Sequence, residues 1–179
     1  KKLLANDLVK IIIGPRRAGK SVFALELLKD QSFAYLNFED ENFQHIGDYD
    51  DLIDLLDEIY DKPKFFLFDE IGKLPNWETW VNKLQRRGHN LIVTGSNAHL
   101  LMGESATSLT GRHFTIEIYP FNYSEYLRAK NSPGGLLQQF LLDGGFPEVT
   151  VKNLDGKLYL KSLIDATIYK DIILRHTIG

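Results

Sequence analysis

The sequence contains no cysteine. That excludes a disulfide framework, thiolate metal ligation and a cysteine nucleophile, and it fits a reducing compartment. It also lacks a dominant charge: 21 basic and 24 acidic residues leave a net charge of −3, too little for a global field that would attract nucleic acid or an anionic membrane. No apolar run approaches the roughly 18–20 residues of a membrane span; the longest are stretches such as Phe65-Phe66-Leu67-Phe68. Lys1 and Lys2 lead into a strand-like segment with no hydrophobic signal region, so a cytoplasmic location is expected. There is no initiating Met and the chain stops abruptly at Gly179, which reads as a piece of a longer protein, truncated at its C-terminus. Internal repeats and low-complexity tracts are absent. His45, His89, His99, His113 and His176 show no metal-ligand spacing, so no zinc site is expected. What is present is ordinary globular material: 179 residues, 44% hydrophobic and 25% charged, enough for one domain and part of another.

Five short apolar, β-branched or aromatic runs read as strands: Val9–Ile13, Phe33–Phe38, Lys64–Phe68, Leu91–Thr94 and Phe114–Tyr119. The first four lack clean alternation, as central strands covered on both faces do. Helical patterns separate them. Leu52, Leu55, Leu56 and Ile59 lie at i, i+3, i+4, i+7 amid acidic residues that form a solvated face, and Trp77, Trp80, Val81 and Leu84 repeat the spacing, the tryptophans as core anchors. The alternation predicts parallel βαβ units in a three-layer α/β domain over residues 1–121. Residues 122–179 read as helices alone. Asn122 and Glu125 form a capping box, with Phe121 stapling against Tyr126. A second helix is expected from Ser132-Pro133 to Gly144-Gly145, and a third from about Lys157 toward Arg175.

The strongest chemical signal is Gly14-Pro15-Arg16-Arg17-Ala18-Gly19-Lys20-Ser21, which fits G-x-x-x-x-G-K-[ST] between a strand and an apolar helix beginning with Val22 and Phe23. Backbone N–H groups of such a loop cradle phosphate oxygens, and the helix N-terminus adds a favourable dipole. Gly14 to Val22 is therefore the candidate nucleotide-binding segment. Lys20 would neutralise the β- and γ-phosphates, and Ser21 would offer a hydroxyl to Mg²⁺. Arg16 and Arg17 receive no catalytic role; exposed and phosphate-flanking placements both stand.

Phe65-Phe66-Leu67-Phe68-Asp69-Glu70 delivers two carboxylates at the end of a buried strand, as a Walker B motif does. Asp69 would hold Mg²⁺ through water and Glu70 would polarise the attacking water. The same residues pose a rival, because Asp69-Glu70-Ile71-Gly72 fits the D-x-x-G switch of small GTPases. The guanine-reading N-K-x-D string is not matched: Asn82-Lys83-Leu84-Gln85 ends in Gln and lies in a helical pattern. After the fourth strand comes Gly95-Ser96-Asn97, suited to a polar sensor of the γ-phosphate, so ATP is preferred over GTP. Ser96 and Asn97 can equally cap the next helix. Arg112, before the last strand, fits either an arginine finger reaching a neighbouring subunit or a surface arginine beside a turn.

Together these residues resemble AAA+-type ATPases widespread in archaea and bacteria, related to the STAND signal-transduction ATPases. The likeness lies in Gly-Pro-Arg-Arg-x-Gly-Lys-Ser, Leu-Phe-Asp-Glu at 67–70, Thr-Gly-Ser at 94–96, Leu-x-Gly-Arg at 109–112, Pro-Phe-x-x-x-Glu-Tyr-Leu at 120–127 and Gly-Gly-Phe-Pro-Glu-Val at 144–149. The resemblance implies a five-stranded parallel sheet of order 5-1-4-3-2 followed by a helical lid, in which Gly145 and Pro147 match a nucleotide-sensing Gly-x-Pro element. It also implies a segment before the first strand that helps hold adenine, whereas only eight residues precede Val9. A winged-helix or nuclease-like C-terminal domain commonly follows the lid in such proteins, and DNA would enter only through a domain of that kind. The expected activity is Mg²⁺-dependent hydrolysis of ATP to ADP and phosphate coupled to lid motion, in a monomer or a homo-oligomer. The alternatives are a slow nucleotide-dependent signalling switch that recruits partners with little turnover, and a GTPase.

Overall fold

The computed structural model describes residues 2–40, 43, 49–96 and 111–167. Five strands, β1 (Val9–Ile13), β2 (Phe33–Asn37), β3 (Phe65–Asp69), β4 (Leu91–Gly95) and β5 (His113–Glu117), form one sheet of order β2-β3-β4-β1-β5. Every pairing is parallel. This is the expected order 5-1-4-3-2 read from the other edge. Three helices belong to this unit: α1 (Lys20–Leu28), α2 (Asp50–Ile59) and α3 (Trp77–Arg86).

All residues of β1, β3 and β4 are buried, because helices cover both faces. Successive side chains of a strand point to opposite faces, so each apolar run serves two cores. Val9, Ile11, Ile13, Phe66, Phe68, Leu91 and Val93 pack with Leu52, Ile53 and Leu56 of α2 and Trp77, Trp80, Val81 and Leu84 of α3. Ile12, Phe65, Leu67 and Ile92 face the other way, onto Ala24 and Leu28 of α1. The two tryptophans are core anchors, as expected: the Trp80 ring stacks on Phe68 at 5.0 Å. Lys10 falls on the α1 side with no exposed surface, and its ammonium reaches back to the Asn6 carbonyl at 2.5 Å. β5 is an edge strand, with Phe114 46% exposed.

The chain divides into two compact units, Lys1–Tyr119 and Pro120–Gly179. The boundary falls two residues before the position read from sequence, because the Phe121 N–H already donates to the Gly145 carbonyl at 2.6 Å, inside the second unit. That unit contains α4 (Tyr123–Ala129), α5 (Leu137–Asp143), α6 (Pro147–Lys152) and α7 (Gly156–Thr167) among the described residues. The capping box forms reciprocally: Glu125 N–H to Asn122 Oδ1 at 3.0 Å, and Asn122 N–H to Glu125 Oε2 at 2.9 Å.

Two helix expectations need correction. α5 begins at Leu137 rather than at Ser132-Pro133, since Gly134 and Gly135 adopt φ of 152° and 82° and form a turn with the Ser132 hydroxyl. α6 was not anticipated: Pro147 occupies its first turn, where a missing N–H costs nothing, and Asn153 closes it in a left-handed conformation. The third expected helix begins one residue early, and its reach beyond Thr167 toward Arg175 lies outside the described residues.

Asn122→Ala removes one half of the capping box. It should lower the stability of the second unit by about 1 kcal/mol in urea denaturation, and Asn122→Asp should retain most of that stability.

Candidate functional site

Parallel strands bring their C-terminal ends to one edge of the sheet, and the candidate residues collect there. β1 runs directly into the loop at Gly14. A Cβ at Gly14 would lie 1.9 Å from the Ile118 carbonyl oxygen, and φ is 147°, so only glycine fits. The loop then turns through Pro15 to Ala18, with the Ala18 N–H bonded to the Pro15 carbonyl at 3.2 Å, and Gly19 caps α1 at φ 103°. Arg17 also has positive φ, at 64°. Arg16 pairs with Glu39 beyond β2 at 2.7 Å; both are about one third exposed, so the pair adds little stability. Val22 is 70% exposed beside Ser21.

Lys20 is buried, with its ammonium 3.1 Å from the Pro15 carbonyl and 3.7 Å from Glu70 Oε1. Desolvation lowers its pKa, while the Glu70 and Asp69 charges oppose that shift. Asp69 is buried at the end of β3 and accepts three hydroxyl hydrogen bonds. Ser21 Oγ donates to Oδ1 at 2.9 Å, Thr94 Oγ1 donates to the same oxygen, and the Tyr35 hydroxyl donates to Oδ2 at 3.1 Å. Strand alternation explains the convergence: Tyr35, Asp69 and Thr94 all fall on the α1 side of adjacent strands β2, β3 and β4. Burial, then the Asp69 charge, pushes the Tyr35 hydroxyl up to about 12, so it stays a proton donor at neutral pH.

Glu70 leaves the strand in the left-handed region at φ 50°, a conformation costly for a residue with a side chain. Its N–H donates to Thr94 Oγ1 at 3.1 Å, and its Oε2 accepts from Ser96 through the N–H at 3.1 Å and the hydroxyl at 2.9 Å. Thr94 thus bridges the two acidic residues, accepting from one and donating to the other.

Comparison with known proteins adds the family. Residues 6–127 match the model of the AAA domain. The chain belongs to this family of P-loop ATPases. It is 36% identical over 197 aligned positions to an uncharacterized protein of Methanocaldococcus jannaschii, covering 99% of this chain and 44% of that protein. An uncharacterized protein of Haemophilus influenzae is 36% identical over 189 positions, covering 95% of this chain and 47% of the relative. The chain therefore spans a little under half the length of these relatives. Among solved structures, a Walker-type ATPase of Pyrococcus abyssi superposes with a TM-score of 0.52 at 16% identity, over 98% of this chain and 71% of that one, which is a likeness of fold.

In this AAA domain, Lys20, Ser21, Asp69, Glu70 and Ser96 meet within hydrogen-bonding or ion-pair distances. Asn97 and the Leu109-Thr110 part of the Arg112 motif lie outside the described residues. Arg112 precedes β5, whose first residue pairs with Val9, at the sheet end opposite the loop. About 13 Å of strand separate the two ends, so Arg112 does not serve its own chain's site; its Nη1 donates to Asn82 at 3.1 Å. Gly145 and Pro147 have local structural roles. A Cβ at Gly145 would lie 2.1 Å from the Phe121 carbonyl oxygen, and Pro147 opens α6.

Tyr35 and Thr94 were not assigned roles from the sequence. Thr94 stood in a quoted motif, but its part depends on which face of β4 it takes. Tyr35 looked like any strand aromatic, and only the pairing of β2 with β3 brings its hydroxyl to Asp69.

The Thr94 bridge has a measurable stability. Thr94→Val should leave the Glu70 N–H without its acceptor and destabilise the chain by about 1–3 kcal/mol in urea unfolding, whereas Thr94→Ser should restore most of the loss.

Proposed function

We propose that the chain binds ATP with Mg²⁺ at the Gly14–Val22 loop and hydrolyses it to ADP and phosphate. The observation that supports this reading most is the convergence of one lysine, one hydroxyl and two carboxylates at the end of β1 and β3: Lys20 and Glu70 at 3.7 Å, Ser21 and Asp69 at 2.9 Å. The oxygen donors suit a hard cation. Mg²⁺ is held in such sites by one or two protein oxygens together with substrate phosphates and water, and when bound it neutralises phosphate charge. Ser21 Oγ donates its hydrogen bond to Asp69 Oδ1 and so keeps its lone pairs for the cation. Asp69 would hold the cation through water that the cation carries.

Lys20 stabilises charge on the β- and γ-phosphates. Its burial strengthens that interaction, since little water screens it. Glu70 polarises the attacking water. Ser96 orients Glu70 through its N–H and hydroxyl, and Asn97 is a further candidate sensor of the γ-phosphate. Arg112 acts, on this reading, on the nucleotide of a second copy of the chain in a homo-oligomer. Gly145 and Pro147, in the second unit, report nucleotide state to the rest of the protein.

A second reading is a nucleotide-dependent switch with little turnover. The double Ser96–Glu70 contact favours it, because a carboxylate already occupied on one oxygen is less free to take a proton from water. The two readings differ in rate.

Lys20→Ala should abolish binding of ATP with Mg²⁺ in titration calorimetry. Glu70→Gln should bind ATP as the wild type does and lose at least about a hundredfold in turnover; full activity in that variant removes Glu70 as the water-polarising group. Tighter binding of GTP than of ATP would return the GTPase reading. Turnover per chain that rises with protein concentration, and stays flat in Arg112→Ala, is the expected sign of an oligomeric enzyme.

A further inference from the structure

The Asp69 carboxylate is held from three directions, and the hydroxyls differ in what they can do. Ser21 stands on the nucleotide loop, and Thr94 is shared with the Glu70 N–H. Tyr35 comes from β2, where it pairs with Leu67 in register and belongs to neither the loop nor the β4 turn. Its ring packs against the α1-side core, and its hydroxyl donates to Asp69 Oδ2 at 3.1 Å.

A carboxylate on a strand end has a soft terminal torsion. Rotation about that torsion moves both oxygens together, so a hydrogen bond to the second oxygen, from another direction, narrows the range that bonds to the first alone would permit. Ser21 and Thr94 both address Oδ1; Tyr35 addresses Oδ2. The hydroxyl from β2 and the hydroxyl from β4 therefore clamp the carboxylate plane from the two flanking strands. Each carboxylate oxygen offers about two lone-pair directions. Oδ1 is fully used by Ser21 and Thr94, while Oδ2 keeps one direction open after Tyr35.

We propose that Tyr35 is a positioning residue of the Mg²⁺ site, fixing the plane of Asp69 so that its remaining lone pair is presented in one direction toward the cation's water. This rests on the reading of Ser21 and Asp69 as the residues that hold the metal. It goes beyond that reading by assigning a determinant of metal affinity to an aromatic residue on β2, outside the phosphate loop and the β3 carboxylate pair. Tyr35 touches neither nucleotide nor metal; it acts through Asp69. Groups that orient a ligand in this way change metal affinity by about 10–100-fold when removed.

The test compares the wild-type 179-residue chain with Tyr35→Phe, which keeps the ring in the core and deletes only the hydroxyl. Affinity for a fluorescent (mant-labelled) ADP is measured once with Mg²⁺ and once with EDTA, and the ratio of the two affinities is the readout. In the wild type, Mg²⁺ should tighten binding. In Tyr35→Phe the EDTA affinity should be unchanged and the tightening by Mg²⁺ reduced by about tenfold, at the low end for lost orienting groups. A ratio within twofold of the wild type overturns the proposal. A loss of equal size with Mg²⁺ and with EDTA also overturns it, because it marks a structural effect on the loop. If the wild-type chain binds the labelled ADP without any response to Mg²⁺, the metal site itself fails, which is a separate result from a normal wild-type response retained in Tyr35→Phe.

Discussion

The acceptance of three hydroxyl hydrogen bonds by one buried carboxylate, Asp69, is the interaction on which the site depends. A buried anion is expensive unless neighbouring donors compensate it. Here the donors come from α1, β2 and β4, so the compensation requires three elements to be correctly placed at once. The parallel sheet meets that requirement: its strands end together, and alternation puts Tyr35, Asp69 and Thr94 on one face. The same alternation sends Phe66, Phe68 and Val93 to the opposite face, where the aromatic core with Trp80 anchors the strands rigidly. The polar cluster and the apolar core are thus two sides of one register.

Lys20 shows the cost of this arrangement. It is buried and its pKa is depressed by desolvation, with Glu70 and Asp69 acting against that shift. In the ligand-free chain its charge is met by the Pro15 carbonyl and by Glu70 at a longer distance. A cation so placed is poorly solvated and only partly paired, which is a favourable starting point for binding an anion. Glu70, held in a left-handed backbone conformation by Thr94, carries strain at the same position. Arg17 and Glu70 thus place two left-handed non-glycine residues in the surroundings of Lys20, while of the others described Asp61, Lys62 and Asn76 lie outside the site and Asn131 and Asn153 belong to the second unit.

Much of the fold could be read from residues, because its signals are local. Apolar runs bounded by charged or turn residues gave all five strands to within two residues at either end, and Asn122 with Glu125 marked a helix start through a hydrogen-bond pair only three residues long. The loop was legible for the same reason: its glycines, lysine and serine are contiguous. What could not be read depends on register or on competition between signals. Tyr35 needed the pairing of β2 with β3, and Thr94 needed the face of β4. Ser132-Pro133 resembled a helix start, but two glycines at positive φ turned the chain before α5 could begin. Pro147 was read for its place in a motif, which hid its simpler role as the first residue of a short helix.

The contact at Gly14 has a mechanical consequence. The Ile118 N–H donates to the Ile13 carbonyl at 2.7 Å, and the Ile118 carbonyl fills the space where a side chain on residue 14 would sit. The entrance of the phosphate loop is therefore wedged against backbone, with no side chain between to absorb displacement. Ile118 lies one residue from the end of the first unit, which closes at Tyr119. The loop's first residue is thus fixed in place by the strand end that lies one residue short of the close of the first unit, and the room left for residue 14 is set by the backbone of β5's continuation alone.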